Sequence, residues 1–290
     1  MIVITGATGK LGKLIVDELV SRMPLSEIGV SIRDPQKAKN LQERGVRVRL
    51  GDFAKPDTLP DAFEGASQLL MVSSNAGAYG GNTLAQHKAA IHAAKEAGVK
   101  RIVYTSQIAS SPSSTFPPAL DHAATEVMLA ESGLAWTALR NGFYADSAVI
   151  FMGPEWQKGK IVAPRDGKVA WTAHTDLAAA AAAILTGVMT FDGPTPPLTS
   201  AEALDLTGLA SIGSRLVGMP IARETVADEA FAAQLRLRGL PEAVVGISLG
   251  YYEASRRGEF DKNDSTLEKL IGRQPRTMQD VLTTIYHQSL

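Results

Sequence analysis

The chain opens Met1-Ile2-Val3-Ile4-Thr5-Gly6-Ala7-Thr8-Gly9-Lys10-Leu11-Gly12. A short apolar stretch runs into glycines spaced Gly6-x-x-Gly9-x-x-Gly12, and Leu14, Ile15, Val16, Leu19 and Val20 follow at helical spacing. This reads as a buried strand, a tight turn and an amphipathic helix. That order brings backbone N–H groups and the positive end of a helix against a pyrophosphate. Gly6 permits the tight turn, Gly9 a close approach of backbone to phosphate, and Gly12 close packing of helix on strand. The glycines alone carry little weight; the strand before them and the helix after them give them meaning.

Working outward, residues 1–110 alternate between strand and helix. The pattern predicts strands at Ile2–Thr5, Ile28–Ile32, Arg47–Leu50, Leu69–Ser73 and Arg101–Tyr104. It predicts helices at Leu11–Ser21, Pro35–Glu43, Leu59–Phe63 and Thr83–Ala97, with Gly45 and Gly98 as left-handed caps just past helix ends. A helix at Leu120–Ser132, a strand at Ala135–Arg140, a short strand at Ile161–Ala163 and a helix at Leu177–Leu185 follow, the last capped by Asp176. Residues 142–160 read as irregular, Thr190–Leu198 as turn-like, and 200–290 as mostly helical. Repeated βα units imply an α/β fold, a Rossmann-like doubly wound parallel sheet with a smaller, mostly helical C-terminal substrate lobe. The expected division is 1–140 plus roughly 160–190 for the nucleotide domain, and 141–159 plus roughly 191–290 for the substrate lobe. The loops 74–82 and 110–118, rich in turn formers, follow strand ends; they read either as covers over a substrate or as connectors.

Composition bounds the class. With 290 residues, 45% hydrophobic and 20% charged, the chain can bury a substantial core. With a net charge of −1 and no Lys/Arg block, nothing suggests a nucleic-acid or anionic-membrane surface. No cysteine is present, which removes disulfides and thiol chemistry. The apolar stretch at Leu177–Met189 is too short for a bilayer. With a strand starting at residue 2, no leader is expected, and a cytoplasmic protein is the default. His87, His92, His122, His174 and His287 lack metal-ligand spacing, and no Gly-x-Ser-x-Gly elbow or P-loop occurs.

The second strand ends Val30-Ser31-Ile32-Arg33-Asp34-Pro35. In a dinucleotide fold this position faces the adenosine ribose, and an arginine there pairs with the 2′-phosphate of NADPH, which is therefore expected over NADH. Lys37 and Lys39 lie nearby. Asp34 reads two ways, as a group that repels phosphate or as a cap of the next helix. Gly51-Asp52-Phe53 is placed to meet the adenine, with Asp52 equally a turn residue.

Taken together, Thr5–Gly12, Arg33, Gly51-Asp52-Phe53 and Leu139-Arg-Asn-Gly-Phe-Tyr144 resemble the NmrA-like atypical short-chain dehydrogenase/reductases. Within that group the likeness is to bacterial NADPH:quinone oxidoreductases and triphenylmethane dye reductases. The segments His122–Glu126, Ser132-Gly133, Asp166-Gly-Lys168 and Leu270-Ile-Gly272 are similar as well. The resemblance covers nearly the whole chain and is densest before residue 190.

It also exposes a departure. Typical short-chain dehydrogenases carry Tyr-x-x-x-Lys on the helix after the fifth strand, one turn apart and facing the same substrate. Here Pro118 and His122 occupy those positions. Without that proton-transfer pair, reduction of a plain ketone is disfavoured, whereas a quinone or a cationic dye needs only a hydride. The resemblance thus implies an NADPH-dependent reductase of a small quinone-like acceptor; a non-enzymatic redox sensor is the second reading. Candidate cofactor contacts are Gly6, Thr8, Gly9, Lys10, Leu11, Gly12, Arg33, Asp52, Phe53, Ser73, Ser74, Asn75, Thr105 and His122. His122, Asn141 and Tyr144 are the candidate reaction-site residues. Ser106 and Gln107 end the same strand as Thr105. Glu126 reads as a group that orients His122 or as a surface acid. Oligomeric state is left open, a homo-oligomer included.

Overall fold

The computed structural model describes residues 1–288. The buried run Ile2–Thr5 forms β1, and Lys10–Val20 forms α1, burying Leu11, Ile15, Val16 and Leu19 on one stripe. Then come β2 (Ile28–Ile32), α2 (Lys39–Glu43), β3 (Arg47–Leu50), α3 (Leu59–Phe63), β4 (Gln68–Met71) and α4 (Thr83–Glu96). β5 (Arg101–Gln107), α5 (Pro117–Glu131) and β6 (Ala135–Asn141) complete the repeated units. Gly45 and Gly98 sit at φ +97° and +75°, the left-handed conformation expected past a helix end.

The rest of the chain is more finely divided than its composition suggests. Residues 142–160 are not irregular throughout: they hold β7 (Phe143–Tyr144) and α6 (Ala148–Met152), before β8 (Lys160–Pro164) and β9 (Trp171–Thr172). α7 (His174–Leu185) is followed by β10 (Gly193–Pro194), inside the stretch that reads as turn-like. After α8 (Leu206–Val217) comes β11 (Ala222–Val226), a strand in the region that reads as helical, then α9 (Asp228–Leu237), α10 (Glu242–Arg256), α11 (Thr266–Ile271) and α12 (Met278–Gln288).

Seven strands form one sheet in the order β3-β2-β1-β4-β5-β6-β10. β1 runs parallel to β2 and β4, β2 to β3, β4 to β5, and β10 to β6. The reversal of strand order beside β1 makes the crevice at its carboxyl end the place where such a sheet receives ligands. β8 and β11 pair in parallel, as do β7 and β9.

The chain divides into two compact units. Unit 1 is Met1–Ser106, Asp121–Arg140 and Leu177–Pro196; unit 2 is Gln107–Leu120, Asn141–Asp176 and Pro197–Leu290. Residues 107–120 and 160–176, expected with the nucleotide domain, thus fall in unit 2. Contacts distant in sequence hold them there. Glu259 accepts from the hydroxyl of Ser114 and from the N–H and hydroxyl of Thr115. Asp176, expected as a helix cap, instead lies within the first turn of α7. It is fully buried, 2.6 Å from Arg273 Nη2 and 2.6 Å from the Arg276 N–H nitrogen. Unit 1 packs Val3, Leu59, Phe63, Leu69, Ile102 and Leu129 at its centre; unit 2 packs Phe116, Trp171, Leu209, Tyr251 and Phe260. No helix among the described residues is long and apolar enough to cross a membrane.

Candidate active site

The turn from β1 to α1 is built for a phosphate. Gly6 lies at φ +61°, a conformation that strains any residue with a Cβ. A Cβ on Gly12 would overlap the Gly6 carbonyl oxygen and come within 2.8 Å of its carbonyl carbon. The Gly9 N–H closes the turn on the Gly6 oxygen at 2.9 Å, and no side chain caps α1. The first-turn N–H groups of α1 are therefore open to an acceptor at the positive end of the helix. Thr8, Gly9 and Lys10 are exposed, while the Leu11 side chain is buried, so only its backbone faces a ligand. These features fit a dinucleotide pyrophosphate.

At the end of β2, Arg33 is exposed and holds no ion-pair partner among the described residues. Asp34 Oδ1 accepts from the Gln36 N–H at 3.1 Å; it caps the short turn at Pro35–Ala38 and so takes the second of its two readings. Asp52 Oδ1 accepts from the Ala54 N–H at 3.0 Å, which holds the turn after β3. Phe53 is half-buried against the core of unit 1.

At the ends of β4 and β5, the Thr105 hydroxyl accepts from the Ser73 N–H at 2.8 Å, which ties the two strand ends together. The Ser74 hydroxyl donates to Gln86 Oε1 at 2.5 Å, and its N–H donates to His87 Nε2 at 2.8 Å. Asn75 is exposed. Spacing alone assigns no role to His87, yet its tautomer is fixed by its neighbours. Thr125 gives its hydroxyl hydrogen to the Asp121 carbonyl, so it accepts from His87 Nδ1–H at 2.8 Å, leaving Nε2 as the acceptor for Ser74. Burial, then the nearby His122, push His87 down to about 3.

His122 stands on α5, one turn after Pro118. Its Nδ1 lies 2.7 Å from the hydroxyl of Tyr104, a residue of β5 that sequence spacing sets aside. Burial pushes the His122 imidazole down to about 4, so it is neutral near pH 7 and does not replace a lysine's charge. Glu126 fits neither of its expected readings. It is 7% exposed, accepts from Ser106 Oγ at 2.6 Å, and pairs with Arg140 Nη2 at 2.7 Å and Nε at 3.3 Å. It joins the ends of β5 and β6.

In unit 2, Asn141 is 2% exposed and ends β6. Tyr144 is half-buried, and its phenol is held above the ordinary range by burial, opposed by a hydrogen bond from Asn141. Its ring lies 4.2 Å from that of His174, whose Nδ1 bonds Asp146. Phe143 is a core residue among Phe116, Trp171, Tyr251 and Phe260. No sequence signal marks the His174–Asp146 pair, because its members are 28 residues apart and neither belongs to a motif. Another segment of the resemblance, Asp166-Gly-Lys168, has a structural role. Asp166 accepts from the Leu206 N–H at the start of α8 and pairs with Arg223, each at 2.7 Å; a Cβ on Gly167 would overlap the Ser255 carbonyl. Among the described residues, no group of three or more His, Cys, Asp or Glu is placed to hold a metal ion.

Chemically, unit 1 offers an anion-binding turn, an exposed arginine and a neutral histidine, and neither position of the usual pair carries a tyrosine or a lysine. A family model described as NAD(P)H-binding matches residues 6–187. Quinone oxidoreductase 2 of Escherichia coli is 35% identical over 289 residues, covering 99% of each chain. The crystal structure of the NADPH-dependent quinone oxidoreductase of E. coli complexed with NADPH superimposes with a TM-score of 0.89 at 33% identity, covering 99% of this chain and 100% of that one. The triphenylmethane reductase of Citrobacter sp. complexed with NADP(H) gives 0.88 at 33% identity, with 100% of both chains covered.

Proposed function

The chain belongs to the NAD(P)H-binding family, NmrA-like in type, and from that premise we propose that it is an NADPH-dependent reductase of quinones or quinone-like electrophiles. The observation that carries this reading is the pair of positions on α5. Pro118 has no proton to move, and His122 is neutral and engaged with Tyr104. A site without the Tyr-x-x-x-Lys proton relay suits acceptors whose reduction is driven by hydride alone. The relatives named above, which reduce quinones and triphenylmethane dyes, support the same class.

When bound, NADPH supplies the hydride. The residues of this chain bind and orient. The first-turn N–H groups of α1 take the pyrophosphate, with Gly6, Thr8 and Gly9 shaping the turn and Lys10 adding charge. Arg33 pairs with the 2′-phosphate, and Lys37 and Lys39 strengthen the local field. Asp52 and Phe53 border the adenine. The backbone at Ser73, Ser74 and Asn75, fixed by Thr105 and His87, lies along the nicotinamide ribose, and His122 offers Nε2 to a ribose hydroxyl. On unit 2, Asn141 and Tyr144 contact the acceptor.

The test is NADPH oxidation by purified protein across a panel of benzoquinones and naphthoquinones. Turnover of several quinones with little activity on aliphatic aldehydes is expected. Protein that binds NADPH but oxidises it with no quinone overturns the proposal.

A further inference from the structure

Three buried polar atoms of unit 2, at and just beyond the carboxyl ends of β5 and β6, have no hydrogen-bond partner: Gln107 Nε2, Ser110 Oγ and Asn141 Oδ1. Asn141 is 2% exposed and Ser110 7%. Folded proteins satisfy nearly all such atoms, so three orphans on neighbouring backbone call for a cause. The backbone gathers them. The Ile108 N–H donates to the Asn141 carbonyl at 2.9 Å, which carries the ladder to the ends of the two strands and sets Gln107 beside Asn141. Lateral neighbours in a ladder project to one face of the sheet. The Ser110 N–H returns to the Gln107 carbonyl at 2.9 Å, which closes a tight turn between the two residues. Gln107 Oε1 accepts from the Ala109 N–H at 2.7 Å, which fixes the amide and leaves its donor half unused. An amide donor and an amide acceptor on adjacent strand ends would complement each other, yet neither takes the other as partner.

We propose that these atoms form the oxygen subsite for a quinone carbonyl, an inference that rests on the quinone-reductase reading above. Gln107 Nε2–H and the Ser110 hydroxyl donate to the carbonyl oxygen; Asn141 Oδ1 accepts from the hydroxyl that this oxygen becomes. A quinone oxygen only accepts hydrogen bonds, whereas a quinol oxygen also donates, so donors beside an acceptor serve one oxygen in both redox states. The step balances. The hydride carries two electrons and one proton, NADPH becomes NADP⁺, and the quinone becomes the quinol monoanion. A proton from water completes the quinol. Charge builds on the oxygen held by Gln107 and Ser110, donors fixed before reaction, so an oxyanion is stabilised where the Tyr-x-x-x-Lys enzymes protonate one.

Two acceptors test this. 1,4-Naphthoquinone builds charge on oxygen, whereas crystal violet, a triphenylmethane cation, takes hydride on carbon. Gln107→Leu should lower the quinone-to-dye ratio of kcat/KM by about tenfold or more, and Ser110→Ala should lower it in the same direction, with far-UV circular dichroism confirming that both fold. A second readout needs no turnover. NADP⁺-loaded wild type should bind 1-naphthol about tenfold more tightly than 1-methoxynaphthalene, and Asn141→Leu should erase that preference. If wild type reduces the quinone alone, the naphthol pair decides. The proposal is overturned if wild type reduces naphthoquinone while the substitutions leave both the ratio and the naphthol preference unchanged. Failure of the parent reading looks different: wild type binds NADPH and reduces no quinone at all.

Discussion

At the residue scale, Arg33 and the pair His87 and His122 make opposite demands on a reader of sequence. Arg33 is legible because its role depends only on where β2 ends, and its exposed guanidinium is left without an internal ion pair among the described residues. Arg33→Ala should therefore raise the KM for NADPH by about tenfold or more, the worth of a lost charge-assisted bond, and leave the KM for NADH nearly unchanged. Equal effects in steady-state kinetics with the two cofactors would remove the 2′-phosphate assignment. His87 and His122 are not legible in the same way, because their partners Thr125 and Tyr104 lie 38 and 18 residues away in sequence. Their pH signature can be worked out. Both imidazoles protonate less readily folded, at about 3 and about 4, than at the ordinary value of 6.5. The unfolded chain takes up protons first, so stability is whole above about pH 6.5 and falls as pH drops from there toward 4. The slope is up to about 1.4 kcal/mol per pH unit for each group. Urea unfolding at pH 7, 6 and 5 should show this decline, and His87→Gln should flatten it by about one proton's worth. An unchanged slope in the variant would mean that His87 is not held neutral.

Elements are legible where periodicity and burial agree. β1, β2, β3 and α3 fall at the predicted residues, because each is a short apolar or amphipathic run bounded by turn formers. β7, β9 and β10 are two residues each, too short for any pattern, and β11 alternates poorly because all of it is exposed or half-buried. Glycines separate the two kinds of constraint. Gly142 follows β6, and a Cβ there would overlap Thr172 Oγ1 and reach 3.0 Å from the Ala170 carbonyl oxygen. Gly142→Ala should destabilise the protein by about 2–4 kcal/mol, since backbone has to move to admit the methyl. Gly246 lies inside α10 without a positive φ, and a Cβ there would meet nothing within 4 Å. Gly246→Ala should stabilise by about 0.5–1 kcal/mol through helix propensity. Thermal melts of the two variants should move in opposite directions. Destabilisation by both would mean that space does not govern the cost.

At the scale of the whole molecule, the fold class is readable and the division of the chain is not. The Rossmann order follows from repeated local units, whereas the membership of residues 107–120 and 160–176 is set by partners far along the chain. Glu259 reaches Ser114 and Thr115 across more than 140 residues, and Arg273 reaches Asp176 across 97. The same difficulty hides part of the proposed oxygen subsite: Gln107 and Asn141 are visible as strand ends, but Ser110 acquires meaning only through the turn that ties it to Gln107. Two independent perturbations should therefore add. Glu259→Ala removes the acceptor for the 114–115 loop in unit 2 and should lower stability by about 1–3 kcal/mol. NADPH at about 100 times its Kd should add about 2.7 kcal/mol to wild type by mass action. Because Glu259 lies outside every cofactor contact proposed above, the variant should start from a lower Tm and gain the same increment as wild type, whereas Arg33→Ala should keep the Tm of wild type and lose about half of the gain or more at the same NADPH concentration. Thermal melts of the three proteins with and without NADPH decide the matter: a reduced increment in Glu259→Ala would tie the 114–115 loop to the cofactor, and a full increment in Arg33→Ala would detach Arg33 from it.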